Sequence, residues 1–284
     1  MNSQFKHFLI TRFNLPNKGW QQDKNNNPVQ NEEWLDYRIQ LFETYCLPSI
    51  MHQTCKDFVW VVYFDAKSPD FLLHKIREWQ SVCKNFVPQY SDDYNACLGH
   101  EMSDHITNML PTDTNFIITT RIDNDDAFHK EAIQCIQEHF TPQDNIIIDI
   151  EDGYCFNTAN GVLTKHTFKS NQFVSFIEQK KQVYGTVYRE GHPAWIEKAK
   201  FISIKNKRLW LQVVHEKNIV NAMKGKICLN AQVIKNFNVK NPRSLSFTQA
   251  LQKRIVQEYY LMKHKFKTII KKINENSSSY TFLF

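Results

Sequence analysis

Three carboxylates and an amide close an apolar run in Ile117-Ile118-Thr119-Thr120-Arg121-Ile122-Asp123-Asn124-Asp125-Asp126. Acid concentrated at the end of a buried strand is costly unless a cation or hydrogen bonds compensate it. A hard divalent ion does so most simply. Mg²⁺ or Mn²⁺ prefers oxygen ligands, keeps waters, and bridges one or two protein carboxylates to substrate phosphates. Strand alternation puts Arg121 and Asp123 on one face, where the guanidinium can pair with a diphosphate or brace the carboxylate. The same run also suits a plain turn into an acidic helix N-terminus, since Asp is favoured at caps and in first turns. Position favours the metal reading, because ligands of open α/β sheets bind beyond the carboxyl ends of the strands.

The elements that must carry this run are legible from periodicity. Phe5 to Phe13 reads as a strand stopped by Asn14-Leu15-Pro16-Asn17, followed by a polar, asparagine-rich loop to about Asn31. Apolar residues at helical spacing predict a helix over Glu32–Met51, and the continuous run Phe58–Phe64 predicts a strand covered on both faces. The alternation continues with helices near Asp70–Lys84, Gly99–Leu110 and His129–His139, and strands near Phe86–Tyr90, Asn115–Ile122 and Asn145–Ile150. Strand and helix in alternation mean crossover units, hence an α/β fold with a mainly parallel central sheet flanked by helices. Beyond Asp152 strands are expected at Gly161–Phe168, Gln182–Tyr188 and Leu209–Val214, with a helical turn from Pro193.

Composition bounds the function classes. The 284 residues are 42% hydrophobic and 13% aromatic, enough for one large core. No apolar run approaches the roughly 18 residues of a membrane span. The seven cysteines contain no C-x-x-C pair, which predicts reduced thiols and no structural zinc. Neither glycine-rich phosphate motif is present. The first seven residues lack an apolar leader core and a cleavage site, so a cytoplasmic chain is expected. The net charge of +6 is matched by residues 253–272 alone, where seven Lys and Arg face only Glu258. A nucleic-acid binder would spread that charge over a working face, so no nucleic-acid partner is expected.

The run TRIDNDD after an apolar strand resembles the Asp-x-Asp signature of nucleotide-sugar glycosyltransferases with the GT-A fold. With Thr11–Asn14 (TRFN), the segment WLDYRIQLFETYCLPSI and Trp210–Asn218 (WLQVVHEKN), the chain resembles the rhamnosyltransferase family of bacterial polysaccharide synthesis over about Phe5 to Asn221. The resemblance implies a GT-A-type nucleotide-diphospho-sugar transferase fold. It implies that Asp123 and Asp125 face the donor diphosphate and a Mn²⁺ or Mg²⁺ ion, with Asp126 supporting the turn. It also implies a late histidine ligand, for which His215 is placed in order. By alternation His215 shares a face with Leu209, Leu211 and Val213, so a core histidine bonded to a backbone carbonyl is the other reading. Arg12 and Asn14 after strand one, Asp65 after strand two and Asp92-Asp93 after strand three are implied donor contacts, Asp93 among them. Turn and helix-entry roles explain the acids equally well.

Inverting transfer requires a group that deprotonates the acceptor hydroxyl. The Glu-Asp pair usual in family-two inverting glycosyltransferases is missing downstream of Gly161. Glu178 is the first candidate base, although a lone Glu on a helix is ordinarily solvated surface. Glu190 and His192 in REGHPAW follow, then Asp149 and Asp152. Trp195 suits either an acceptor-sugar platform or the core. The last segment, Thr248–Ile273, reads as a basic amphipathic helix, so residues 1–245 form the expected catalytic domain and 246–284 an extension.

Three uses of that helix are open: an anionic membrane surface, packing on the catalytic domain, or nucleic acid. The combined expectation is a metal-dependent hexosyltransferase, cytoplasmic or peripheral at the inner membrane. Its donor would be dTDP- or UDP-linked and its acceptor a glycan or lipid-linked glycan of a capsule or lipopolysaccharide. A sugar nucleotidyltransferase is the rival enzyme, and a non-catalytic adaptor acting through the tail is the rival of another class.

Overall fold

The computed structural model describes residues 4–17, 19, 31–218 and 222–278. The polar loop expected up to Asn31 therefore lies largely outside the described residues. The chain forms β1 (Phe5–Arg12), α1 (Glu32–Leu41), α2 (Leu47–Met51), β2 (Val59–Asp65), α3 (Asp70–Val82), β3 (Phe86–Ser91), α4 (Tyr94–Ala96), α5 (Met102–Asn108) and β4 (Phe116–Arg121). It continues through β5 (Ala127–Phe128), α6 (Ala132–Glu138), β6 (Ile146–Ile150), β7 (Asp152–Asn157), β8 (Leu163–Thr167), β9 (Ser175–Gln179), α7 (Trp195–Lys198), β10 (Lys200–Ile204), β11 (Trp210–Val214), β12 (Lys226–Ile227) and α8 (Phe247–Ser278).

Seven strands make one sheet in the order β10-β6-β9-β4-β1-β2-β3, and five make a second in the order β12-β8-β7-β11-β5. In β1, Phe8 and Ile10 face one apolar layer with Tyr63, Met102 and Ile106, while Leu9 faces another with Trp34, Phe42, Trp60 and Trp79. Coverage on both faces explains why β1 and β2 carry no polar alternation. Asn31 caps α1 by accepting from Trp34 N at 2.8 Å. A π-helical turn over Phe42–Cys46 joins α1 to α2. Pro48 has no N–H to give the carbonyl of Thr44, and Lys240 N takes that carbonyl at 2.9 Å.

The mainly parallel expectation holds in the large sheet, where β1, β2, β3 and β4 pair in parallel and β10 pairs in parallel with β6, and β9 alone runs against the rest. β9 runs antiparallel between β4 and β6, and the smaller sheet has a single parallel pairing, β7 with β11. The strand expected over Gln182–Tyr188 is a loop, and Ser175–Gln179 is the strand in its place. Glu178 lies on that strand, not on a helix.

The smaller sheet sets the register of the acidic loop. β5 pairs antiparallel with β11, Leu211 against Ala127, so the residues before Ala127 run alongside the end of β11 and His215. α8 packs on the body at β12, where Arg254 Nη1 donates to Ile227 O at 2.9 Å and Gln257 Oε1 accepts from Ile227 N at 3.1 Å. No described helix is long and apolar enough to cross a membrane.

Candidate active site at the carboxyl edge of the large sheet

β4 delivers Arg121, and the loop after it delivers Asp123 to Asp126. The loop is pinned from three sides. Asn124 Nδ2 donates to Phe13 O at 2.9 Å, Asp126 N donates to Asp123 O at 3.2 Å, and Asp126 Oδ1 accepts from Val213 N at 2.8 Å. Asp126 thus supports the turn.

Asp125 is the most heavily engaged group. Its Oδ2 accepts from Arg38 Nη1 at 2.7 Å, lies 2.9 Å from His215 Nε2, and has Asn218 Nδ2 at 3.5 Å. Asn218 is itself fixed, since its Oδ1 accepts from His215 N at 2.6 Å. Burial pushes the Asp125 carboxyl towards its neutral form, but Arg38 and the His215 contact outweigh burial and hold it well below the usual carboxylate range. Asp126 goes the other way. Burial, then the charges of Asp125 and Asp123, push it well above that range, and its buried Oδ2 has no hydrogen-bond partner among the described residues. The two adjacent acids are therefore driven in opposite directions.

Asp123 is the accessible member, with 36% of its side chain exposed. Its Oδ1 lies 3.6 Å from Arg121 Nη2 and 3.9 Å from Arg12 Nη2. The ring of Tyr188 lies against both arginines, its centroid 4.6 Å from Arg12 Cζ and 5.0 Å from Arg121 Cζ. Arg12 also donates to the Tyr94 hydroxyl. Arg12, Arg38 and Arg121 thus gather at the acidic loop, and Arg12 and Arg121, beside the accessible Asp123, suit an anion.

The geometry also bears on a divalent cation. Cis ligands of an octahedral ion bound at 2.0–2.1 Å stand roughly 3 Å apart, and Asp125 Oδ2 and His215 Nε2 stand 2.9 Å apart. Among the described residues no group of three or more His, Cys, Asp or Glu is arranged as a metal centre. A hard ion needs only one or two protein carboxylates beside substrate phosphates and water, and the Asp125–His215 pair has the spacing of two cis ligands. Arg38 holds the same oxygen and competes for it.

Of the residues expected to contact the donor, Arg12, Arg121 and Asp123 come together, with Asp125 and His215 beside them. The remaining three are spent on local structure. Asn14 donates through Nδ2 to Ser68 Oγ at 3.2 Å and accepts through Oδ1 from Asp65 N at 3.1 Å. Asp65 accepts from Lys67 N at 2.8 Å in a turn, and Asp93 caps α4 by accepting from Ala96 N at 2.7 Å. His215 is buried at a strand end, but its ring faces Asp125.

The candidate bases separate sharply. Glu178 is fully buried, and its carboxylate accepts from Gly185 N at 2.9 Å, Thr186 N at 2.8 Å and Lys181 Nζ at 2.8 Å. It pairs across from Ile117 near the start of β4, at the far end of the strand from Asp123. Glu178 is therefore a brace for the loop after β9, and it cannot take a proton from an acceptor. Trp195 is likewise core, its ring 4.5 Å from that of Phe176. Glu190 is half-buried, 4.0 Å from Arg189 Nε.

His192 Nδ1 lies 2.8 Å from Ser170 O, which makes it the donor and leaves the Nε2 lone pair as the basic site. Burial lowers the His192 pKa; the hydrogen bond to Ser170 raises it, Arg121 lowers it and Asp123 raises it. The imidazole is thus neutral at neutral pH, and it senses the charges of the site.

Arg38, Asn218 and Tyr188 were not anticipated. Arg38 had a readable signal, because it stands four residues after Trp34 and beside Ile39, on the apolar side of its helix. Its guanidinium lies 5.0 Å over the Trp34 ring. A cavity of about 590 Å³ lined by His129, Cys135, Tyr154, Lys207 and Phe237 sits at the start of β11, at the other end of that strand from His215.

Comparison with solved structures finds distant likenesses. S. aureus TarS 1–349 matches with 11% identity and a TM-score of 0.40, over 73% of this chain and 60% of that one. The same protein in complex with UDP-GlcNAc matches with 13% identity and a TM-score of 0.41, over 86% and 69%. A putative nucleotide-diphospho-sugar transferase from Desulfovibrio desulfuricans G20 matches with 13% identity and a TM-score of 0.38, over 89% and 96%. The chain thus spans about 60% of the length of the first TarS structure. No curated protein sequence matches significantly. A family model described as "Putative rhamnosyl transferase" matches residues 6–227, most of the chain, and the protein therefore belongs to this family of glycosyltransferases.

Proposed function

We propose that the protein transfers a sugar, with rhamnose the first donor to test, from a dTDP- or UDP-linked donor to a hydroxyl of a glycan or lipid-linked glycan, with inversion, in bacterial surface polysaccharide synthesis. The observation that carries this reading is the meeting of Asp125, His215 and Arg38 beside an accessible Asp123 flanked by Arg12 and Arg121. Arg12 and Arg121 bind the diphosphate and offset the charge that gathers on it as the sugar departs. Asp123, Asp125 and His215 would hold Mn²⁺ or Mg²⁺. Bound there, the ion would stabilise the leaving diphosphate as a Lewis acid. His192 Nε2 accepts the proton of the acceptor hydroxyl, with Glu190 the alternative on the same loop.

The test is transfer from dTDP-rhamnose and from UDP-sugars, read as released nucleoside diphosphate. Asp125→Asn should lose at least ~100-fold in rate while retaining its circular-dichroism spectrum. Unchanged transfer by that variant contradicts the reading.

From α8 we infer action at a membrane surface. Leu251, Ile255, Tyr259, Met262 and Ile269 are exposed on it, and Lys253, Lys263, Lys265 and Lys267 carry its charge. A helix that is basic and exposes apolar side chains suits an anionic bilayer surface at the inner membrane. Truncation after residue 246 should abolish co-sedimentation with phosphatidylglycerol vesicles and spare donor hydrolysis. Vesicle binding that survives the truncation counts against this role.

A further inference from the structure

The loop between β8 and β9 contains a device that the acidic cluster does not explain. Asp149, at the carboxyl end of β6, is fully buried. Its Oδ2 accepts from Ser170 N at 2.6 Å and its Oδ1 from Asn171 Nδ2 at 2.9 Å. Asn171 Nδ2 also reaches Ile150 O at 2.8 Å and Phe168 O at 2.9 Å, so the turn is tied to the end of β6 at several points. Within that turn Ser170 adopts a left-handed backbone, with φ of 54°. A non-glycine residue holds that conformation only where its surroundings over-determine it. The carbonyl of the same residue meets His192. The Ser170 carbonyl receives His192 Nδ1 at 2.8 Å, and the Ser170 hydroxyl donates back to the His192 carbonyl.

We propose that Asp149 is a positioning residue that acts through the Ser170 backbone to fix the tautomer and the aim of His192. A free imidazole can carry its proton on either nitrogen, and only the Nδ1–H form presents Nε2 as a base. By holding Ser170 N–H, Asp149 turns the opposite end of that residue, its C=O, towards Nδ1. The arrangement is the carboxylate–histidine pairing of general-base sites with one backbone residue interposed. This inference rests on the reading of His192 as base, and it deepens that reading.

The test is nitrogen NMR of histidine-labelled protein at pH 7.5, with His192→Gln to assign the signal. The expected wild-type result is a protonated Nδ1 and an unprotonated Nε2. In Asp149→Ala the signal should move to the mixed-tautomer position of a free imidazole, and kcat for transfer should fall at least tenfold with KM for the donor little changed. Asp149→Asn keeps the size and one acceptor, so it should retain the wild-type tautomer in part and fold if the alanine variant does not. Ser170→Ala leaves the backbone path intact and should retain it fully. A wild-type His192 protonated on Nε2, or a tautomer unaffected in both Asp149 variants, overturns the proposal. A shifted tautomer with undiminished transfer supports the positioning and overturns instead the assignment of His192 as base.

Discussion

At the scale of single residues the site is built on unequal acids. Asp125 is kept ionised by Arg38 and His215, whereas Asp126, adjacent in sequence, is driven towards its neutral form by burial beside two acids. Removing Arg38 leaves a buried carboxylate without its counter-charge. Arg38→Ala should therefore cost ~3–5 kcal/mol in urea denaturation and depress transfer as well. Glu178 gives the complementary prediction. Glu178→Ala strands the N–H groups of Gly185 and Thr186, which should cost ~2–4 kcal/mol in the same assay. Its effect on transfer should come through a loosened loop, because Glu178 pairs opposite Ile117, at the other end of β4 from the acidic cluster. Arg121, Asp123 and Asp125 were recognisable from sequence because strand ends concentrate ligand chemistry, and Arg12 through the family resemblance. Arg38 was not, since an arginine in a helix reads as solvated until its neighbours on the apolar side are considered.

At the scale of elements, two sheets meet at the acidic loop, and their joint depends on close backbone approach. Gly153, second in β7, stands opposite Trp210, and a Cβ there would lie 2.0 Å from the indole. Gly153→Ala should cost ~1–3 kcal/mol or more, read as a lower midpoint in thermal denaturation. Among the first four strands of the large sheet, β2 was legible as a continuous apolar run and β1 by its aromatic and β-branched residues, while β3, with Pro88 and Gln89 in it, followed from the strand–helix alternation. β7 was hidden behind its Asp152-Gly153 start, which resembles a turn, and the two residues of β5 are too few for any period. β9 was missed because Glu178, near its end, looked like surface. That carboxylate is satisfied by backbone N–H groups eight residues ahead at most, a contact that no periodicity encodes. The acidic loop takes its register from β11, nearly ninety residues later, so the partnership of Asp125 with His215 required the fold.

At the scale of the whole molecule, His7 links the core of the large sheet to pH. It lies buried against Thr120, 2.8 Å from its hydroxyl, and burial lowers its pKa from 6.5 to about 3, with Asp57 opposing. A lowered folded-state pKa means that the unfolded chain binds the proton more readily. The stability that His7 contributes is complete above pH 6.5 and is lost as pH falls towards 3. Between pH 7.5 and pH 5 this group alone should remove ~2 kcal/mol, and His7→Gln should flatten that part of the profile in urea titrations. The central claim concerns the donor, and it is tested most directly by thermal denaturation of the full chain with nucleotides and Mn²⁺, since a ligand of the native state raises its midpoint. The account predicts a manganese-dependent rise with dTDP or UDP and their sugar conjugates, absent in Asp125→Asn. A rise with dTTP or UTP and none with the diphosphates would contradict it and assign the site to nucleotidyl transfer.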